Sequence, residues 1–391
     1  MIAPHRRHFL QGICSCSLLG LAACNATTAN DPPLVAGYRP DASTDEGGLW
    51  YAVDKAEQDV KRARNRVHDA EWNGYLNDII QRLNPDLHPN MRVYLLRVPI
   101  FNASMAPNGM MQVYTGLLLR AKNEAQLASV LGHEIAHYTQ RHSIAGARDA
   151  RARSDFAVFL SMGLAAAGFG AVNDMAQYML IAGKFAYNRD QEREADRVGL
   201  DMMRRAGYQP LAASEIWQQM IEEDEADGSR RKGNLVFASH PQDEERMKTL
   251  RDMAREKGDT GDYHAERYRE KIRRVRFMLL EDDLRLRRYQ ESLLLLRRLQ
   301  SDSPNDAELL FFEAEVYRLR RDDGDAKKSE QTYERAIQAG KAPAQTWRSL
   351  GLLLHRDGRK GEAAKHFRTY LELRPDADDR RIIMTYIGEV A

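Results

Sequence analysis

Leu131-Gly132-His133-Glu134-Ile135-Ala136-His137 carries two histidines four positions apart, with a glutamate directly after the first. On a helix, positions four apart stand on one face, about 40° off register, so His133 and His137 can bite one metal ion side by side. Glu134 lies about 100° from His133, where it can face the water of such a site. The flanking residues predict a helix. Asn123 is a good N-cap, and Gln126 makes a capping-box-like pair with it. Ala125, Leu127, Ala128, Val130, Leu131, Ile135 and Ala136 supply an apolar body free of proline.

Two histidines need a third protein ligand if one position is kept for water. Cysteine does not offer one, because Cys14, Cys16 and Cys24 are the only cysteines and all fall at the N-terminus. Downstream, Arg189-Asp-Gln-Glu192-Arg-Glu194-Ala-Asp196 sits on a second predicted helix, which a chain reversal can bring beside the first. Glu192 and Asp196 share a face and offer one ligand and one carboxylate to hold a ligand imidazole. Glu194 is about 200° round from Glu192 and reads as a solvated surface acid. His142, about 180° round from His133, stays out of the site if the first helix is continuous.

Asn123 to Gly207 resembles the zinc metalloprotease family of HtpX, the CAAX prenyl proteases and the periplasmic BepA-like proteins. His133-Glu-x-x-His137 is followed by Arg189-x-x-Glu192-x-x-Ala195-Asp196, which resembles the family's second motif. Ala206-Gly-Tyr-Gln-Pro210 and the Asn102 to Gly109 turn are also similar to family segments. The resemblance implies one zinc per chain, held by His133, His137 and Glu192, with Glu134 as general base and Asp196 orienting a ligand imidazole. It also implies that His240, in Ala238-Ser-His-Pro241, can reach the zinc as a fourth ligand in a resting state. A charged, glycine-containing loop, Glu222 to Gly233, would let it swing away.

The rest of the chain supplies the setting. Arg6-Arg7-His8-Phe9-Leu10 has the form of a twin-arginine signal. The apolar run after it ends in Leu21-Ala22-Ala23-Cys24, which resembles the lipobox of bacterial lipoproteins. Residues 1–23 are therefore expected to be a signal peptide, with Cys24 lipidated and Asn25 directing the anchor to the outer membrane. Residues 24–49, rich in Thr, Asp, Pro and Gly, are expected to be a flexible tether.

Trp50 to about Leu83 shows helical spacing and stops at Asn84-Pro85. Met91 to Val98 is the best strand, Asn102 to Gly109 a turn-rich link, and Met110 to Tyr114 a returning strand. A strand beside a metal helix can serve as an edge to which an extended substrate adds, or can lie in the interior. Phe156 to Val172 is apolar and glycine-rich and reads as a core helix rather than a membrane-touching one.

After about Gly261, helix follows helix. Trp347, Leu350-Gly351, Leu354, Ala363, Phe367 and Pro375 fall at tetratricopeptide-repeat spacings, a period of roughly 34 residues. Leu310, Ala314, Tyr317, Tyr333 and Ala336 form a weaker unit before it, and Tyr289, Leu296 and Pro304 a degenerate one.

The expected fold is α+β and mostly helical. A zincin-like metalloprotease domain with a small sheet covers residues 50–260, and an all-α repeat domain covers residues 261–391. A net charge of +1 with both signs interleaved gives no field for nucleic acid. The expected function is a zinc endopeptidase of the bacterial cell envelope. It would take unfolded or misassembled envelope proteins as substrates, bind protein partners through the repeats and reach the membrane through the lipid. The alternatives are a zinc-fold chaperone and a repeat-based scaffold. Glu134 argues against both, since a structural zinc needs no base and closes its shell with four protein ligands.

Overall fold

The computed structural model describes residues 34–152, 187–226, 244–258 and 260–388. Cys24, the Phe156 to Val172 segment, most of the loop after Glu222, and His240 lie outside the described residues. Elements are numbered over the described residues.

The stretch with helical spacing before Leu83 is two helices, α1 (Asp45–Arg62) and α2 (Ala70–Leu83). Each has its own N-cap: the Thr44 side chain accepts from the Gly47 amide and Asp69 from the Trp72 amide. Helix α1 begins inside the expected tether. Glu46 is buried there against Arg141, and the Gly37 amide donates to Asn90 Oδ1 at 2.6 Å. The described part of residues 24–49 is thus held onto the body.

Three short strands follow: β1 (Arg92–Leu96), β2 (Ala103–Met105) and β3 (Met110–Tyr114). Their order is β1-β3-β2, with β3 parallel to β1 and antiparallel to β2. Met110 to Tyr114 therefore runs in the direction of β1, and the turn-rich link contains a strand the sequence did not reveal. Three residues are too few to display an alternation. Strand β3 is interior and wholly buried, and β2 is an edge that packs on the histidine-bearing helix.

Helix α3 (Thr115–Arg120) leads into α4 (Glu124–Thr139), whose residues are almost all buried. Asn123 caps α4 by accepting from the Gln126 amide at 2.9 Å. Gln126 accepts from the Lys122 amide, so the reciprocal bond lands one residue earlier than in a capping box. Next come α5 (His142–Ala152), α6 (Arg189–Arg205), α7 (Ala212–Glu225) and α8 (Glu244–Glu256). Asn188 and Gln191 form a full capping box on α6, and Gly207, left-handed at φ 77°, ends it.

The chain closes with α9 (Ala265–Arg273), α10 (Arg276–Arg285), α11 (Tyr289–Gln300), α12 (Ala307–Arg320), α13 (Asp325–Gln338), α14 (Gln345–Arg356), α15 (Lys360–Leu373) and α16 (Arg380–Gly388). Helices α12 and α13 pack as a pair, as do α14 and α15. Leu310, Ala314, Tyr333, Ala336, Leu350, Leu354, Ala363 and Phe367 fill their interfaces.

One apolar core runs from α2 through the sheet and α4 into this helical region. A buried charge cluster spans the same junction. Arg120 donates Nε to Glu223 Oε2 and Nη2 to Asp283 Oδ1, both at 2.7 Å. No helix among the described residues is long and apolar enough to cross a membrane.

Candidate metal centre

The centre lies where α4 crosses α6. The backbones meet closely there because Gly132 and Gly199 face each other. A Cβ on Gly199 would stand 3.1 Å from the His133 amide nitrogen. The crossing brings Glu192, about two helical turns before the contact, to both histidines. His133 Nε2 lies 3.0 Å from His137 Nε2 and 3.5 Å from Glu192 Oε2, and His137 Nε2 lies 3.4 Å from Glu192 Oε1. Donors about 2.1 Å from a tetrahedral zinc stand roughly 3.4 Å from one another, so these spacings fit that ion. Among the described residues, His133, His137 and Glu192 are the group of donors that could hold a metal. Glu134 is buried on the same helix.

The environment of His133 supports the fit. Its Nδ1 lies 3.0 Å from Asp196 Oδ1. A carboxylate only accepts, so Nδ1 carries the proton, and a neutral ring turns a bare Nε2 toward His137 and Glu192. Two imidazole nitrogens and a carboxylate converging in a buried space suit a divalent cation, which would displace any proton held between them.

Arg246, on α8, is the member of the centre that sequence reasoning missed. It is buried and grips Asp196 with Nε to Oδ2 at 2.8 Å and Nη2 to Oδ1 at 2.7 Å. Its Nη1 reaches Glu192 Oε2 at 2.8 Å, and its guanidinium lies over the Trp217 ring. Burial pushes the Asp196 carboxyl up, but the Arg246 charge and the His133 hydrogen bond outweigh it and hold it down at about 2. For His133, burial and Arg246 push down. Hydrogen bonds to Asp196 and Glu192 outweigh them and lift the metal-free imidazole to about 9, so a metal binding at Nε2 would displace a proton there. The sequence signal for Arg246 is weak, being one arginine near the start of a charged helix.

One expectation is corrected on the other side of His137. Helix α4 is not continuous through residue 142. It ends at Thr139, and Arg141 takes a left-handed φ of 58°. The Arg141 guanidinium pairs with Glu46 and lies over the Tyr38 ring, which holds the break. His142 then opens α5 and folds back to place its Nδ1 2.9 Å from His137 Nδ1. Glu194 is exposed, as expected of a surface acid, and its Oε2 meets His142 Nε2 at 3.2 Å. Tyr187 stacks on the His137 ring with centroids 3.7 Å apart, and its hydroxyl meets Ser143 Oγ at 3.0 Å. His240, expected as a fourth donor, lies outside the described residues.

Residues 69–254, a little under half of the chain, match the model of peptidase family M48. Over 177 residues the chain is 34% identical to the mitochondrial metalloendopeptidase OMA1 of Schizosaccharomyces pombe, covering 44% of this chain and 50% of that protein. Over 233 residues it is 27% identical to the beta-barrel assembly-enhancing protease of Escherichia coli, covering 55% of this chain and 47% of that protein. Over 171 residues it is 32% identical to human metalloendopeptidase OMA1, covering 41% and 32%. The chain spans about half the length of the first two of these relatives. The matched segment holds α4, α6 and most of α8, with all the centre's described residues, and is similar to peptidase family M48.

Proposed function

We propose that this chain is a zinc-dependent endopeptidase of the bacterial cell envelope that cuts unfolded or misassembled envelope proteins. The observation that carries the reading is the convergence of His133, His137 and Glu192 beside the buried Glu134. When bound, zinc supplies a Lewis acid for the scissile carbonyl and makes water more acidic. Glu134 accepts a proton from the attacking water and returns it to the leaving amine. Asp196 keeps the His133 proton on Nδ1, and Arg246 keeps Asp196 ionised and in place. The β2 edge beside α4 offers backbone groups to an extended chain, which selects for unfolded substrates.

The assignment to the envelope rests on the twin-arginine pattern and the lipobox. The resemblance to tetratricopeptide repeats in α12 to α15 suggests a surface that recruits partners or substrates. The name of the Escherichia coli relative supports the same setting, since it couples proteolysis to barrel assembly.

The test is cleavage of an unfolded outer-membrane protein and of casein by the parent and by Glu134→Gln. Activity in the parent, absent in a Glu134→Gln protein that keeps its zinc, is expected. Equal cleavage by both would end the reading of Glu134 as the base. No cleavage by a zinc-loaded parent would favour a chaperone or scaffold.

A further inference from the structure

We propose that His142 and Glu194 form a positioning chain behind His137, fixing which of its nitrogens faces the metal; this rests on the metal reading above. The two histidines are not served alike. His133 meets a carboxylate directly, Asp196 Oδ1 at 3.0 Å. His137 turns its Nδ1 toward another imidazole, His142 Nδ1, at 2.9 Å. A contact between two imidazole nitrogens is a hydrogen bond only when one donates and the other accepts.

Glu194 decides which. Its carboxylate accepts only, so His142 Nε2, 3.2 Å from Glu194 Oε2, must carry a proton. In a neutral His142 the Nδ1 is then bare and accepts from His137 Nδ1–H. His137 is left with a bare Nε2, the atom that lies 3.4 Å from Glu192 Oε1 and 3.0 Å from His133 Nε2. The chain therefore reads in one direction, from the Glu194 carboxylate through the His142 ring to the donor nitrogen of His137. Stacking by Tyr187 fixes the plane of the His137 ring, and the chain fixes its tautomer.

The arrangement explains the alternation on α6. Glu192 and Asp196 face the centre directly. Glu194 points away from them and serves the centre only because the turn at Arg141 carries His142 over that flank. His142 is a positioning residue, buried and reaching the metal position through His137.

Zinc affinity of the full chain decides the proposal, measured on metal-stripped protein by competition with a chromophoric chelator. Loss of a partner behind a ligand histidine costs about 10- to 100-fold in affinity. His142→Phe is expected in that range, Glu194→Ala near its lower end, and Glu194→Gln less, because its amide oxygen still accepts. Nitrogen NMR of histidine-labelled, zinc-loaded parent should show His142 protonated on Nε2 and His137 on Nδ1. Thermal melts of the metal-free proteins check folding. If His142→Phe does not fold, Glu194→Ala, at an exposed position, decides. Affinity in Glu194→Ala equal to the parent, or His142 protonated on Nδ1, overturns the chain. His133→Ala is the reference: strong loss there with none in Glu194→Ala sinks only the chain, whereas parent-like binding by His133→Ala sinks the metal reading itself.

Discussion

Gly199 and Gly132 meet backbone to backbone at the crossing of the two site helices. A Cβ on Gly199 would lie 3.2 Å from the Gly132 carbonyl carbon and 3.1 Å from the His133 amide nitrogen. The distance from Glu192 to the histidines depends on this contact. Gly199→Ala should force the helices apart by a few tenths of an ångström and Gly199→Val by more. Overpacking of this kind costs about 1–3 kcal/mol. Thermal melts and zinc retention on dialysis should fall in that order, while retention unchanged in Gly199→Val would show that the crossing does not set the site.

Metal content separates the carboxylates of α6. His133→Ala and Glu192→Ala should lose zinc when purified at limiting metal. Glu194→Ala should bind one equivalent when zinc is in excess, with weaker affinity. Metal analysis of the three proteins beside the parent checks this, and equal loss of stoichiometry in Glu194→Ala would mean that the wrong carboxylate has been taken as the ligand.

Arg246 and Asp196 are both buried and joined by two hydrogen bonds. Arg246→Ala would leave Asp196 ionised without its main countercharge. Breaking a buried pair by removing one partner costs about 3–5 kcal/mol. Urea unfolding of the zinc-free protein should show a loss of that size. A loss under about 1 kcal/mol, the size of an exposed pair, would mean that solvent reaches the pair.

Glu57 on α1 gives a pH dependence remote from the centre. Its carboxylate accepts from Arg92 Nε and Nη2, and from the Tyr94 hydroxyl, each at 2.7 Å. Burial raises its pKa, but the Arg92 and Tyr94 hydrogen bonds outweigh burial and hold it at about 2. The folded value lies below that of a free carboxyl, so its stabilisation is present above about pH 4.5 and is lost as pH falls toward 2. Glu57 is buried but its Arg92 partner is partly exposed, so screening by solvent leaves about 1–2 kcal/mol. The stability gap between the parent and Glu57→Gln should be widest at pH 6 and close through the acid range. A gap that stays constant down to pH 3 would contradict it.

Gly351 packs its α-carbon against the Phe367 ring. A Cβ there would lie 2.6 Å from Phe367 Cε1, closer than a rigid aromatic ring can tolerate. Gly351→Ala should lower stability by about 1–3 kcal/mol, despite the better helix propensity of alanine. A melting temperature equal to or above the parent's would mean that α14 and α15 pack more loosely than their contact implies.

What the sequence determined is what helical and turn geometry settle locally. Residues four apart share a face whatever surrounds them, so the placing of His133 with His137, and of Glu192 with Asp196, could be read directly. The cap at Asn123 was legible for the same reason, since it satisfies an amide only three residues away. The repeat spacing marked Leu350, Leu354, Ala363 and Phe367, which are buried, and Trp347, which packs partly buried against the core.

Tertiary structure decided which faces meet. Arg246 lies 50 residues beyond Asp196, and its approach depends on α8 packing beside α6, which no local pattern encodes. The break at Arg141 rests on Glu46 and the Tyr38 ring, drawn from about a hundred residues earlier in the chain. A left-handed arginine carries no sequence mark of the kind glycine does, because its cost is offset by distant contacts. That one turn carried His142 to His137 and gave Glu194 a partner. Strand β2 likewise exists because β3 supplies its hydrogen bonds, and three residues alone have too little pattern to announce a strand.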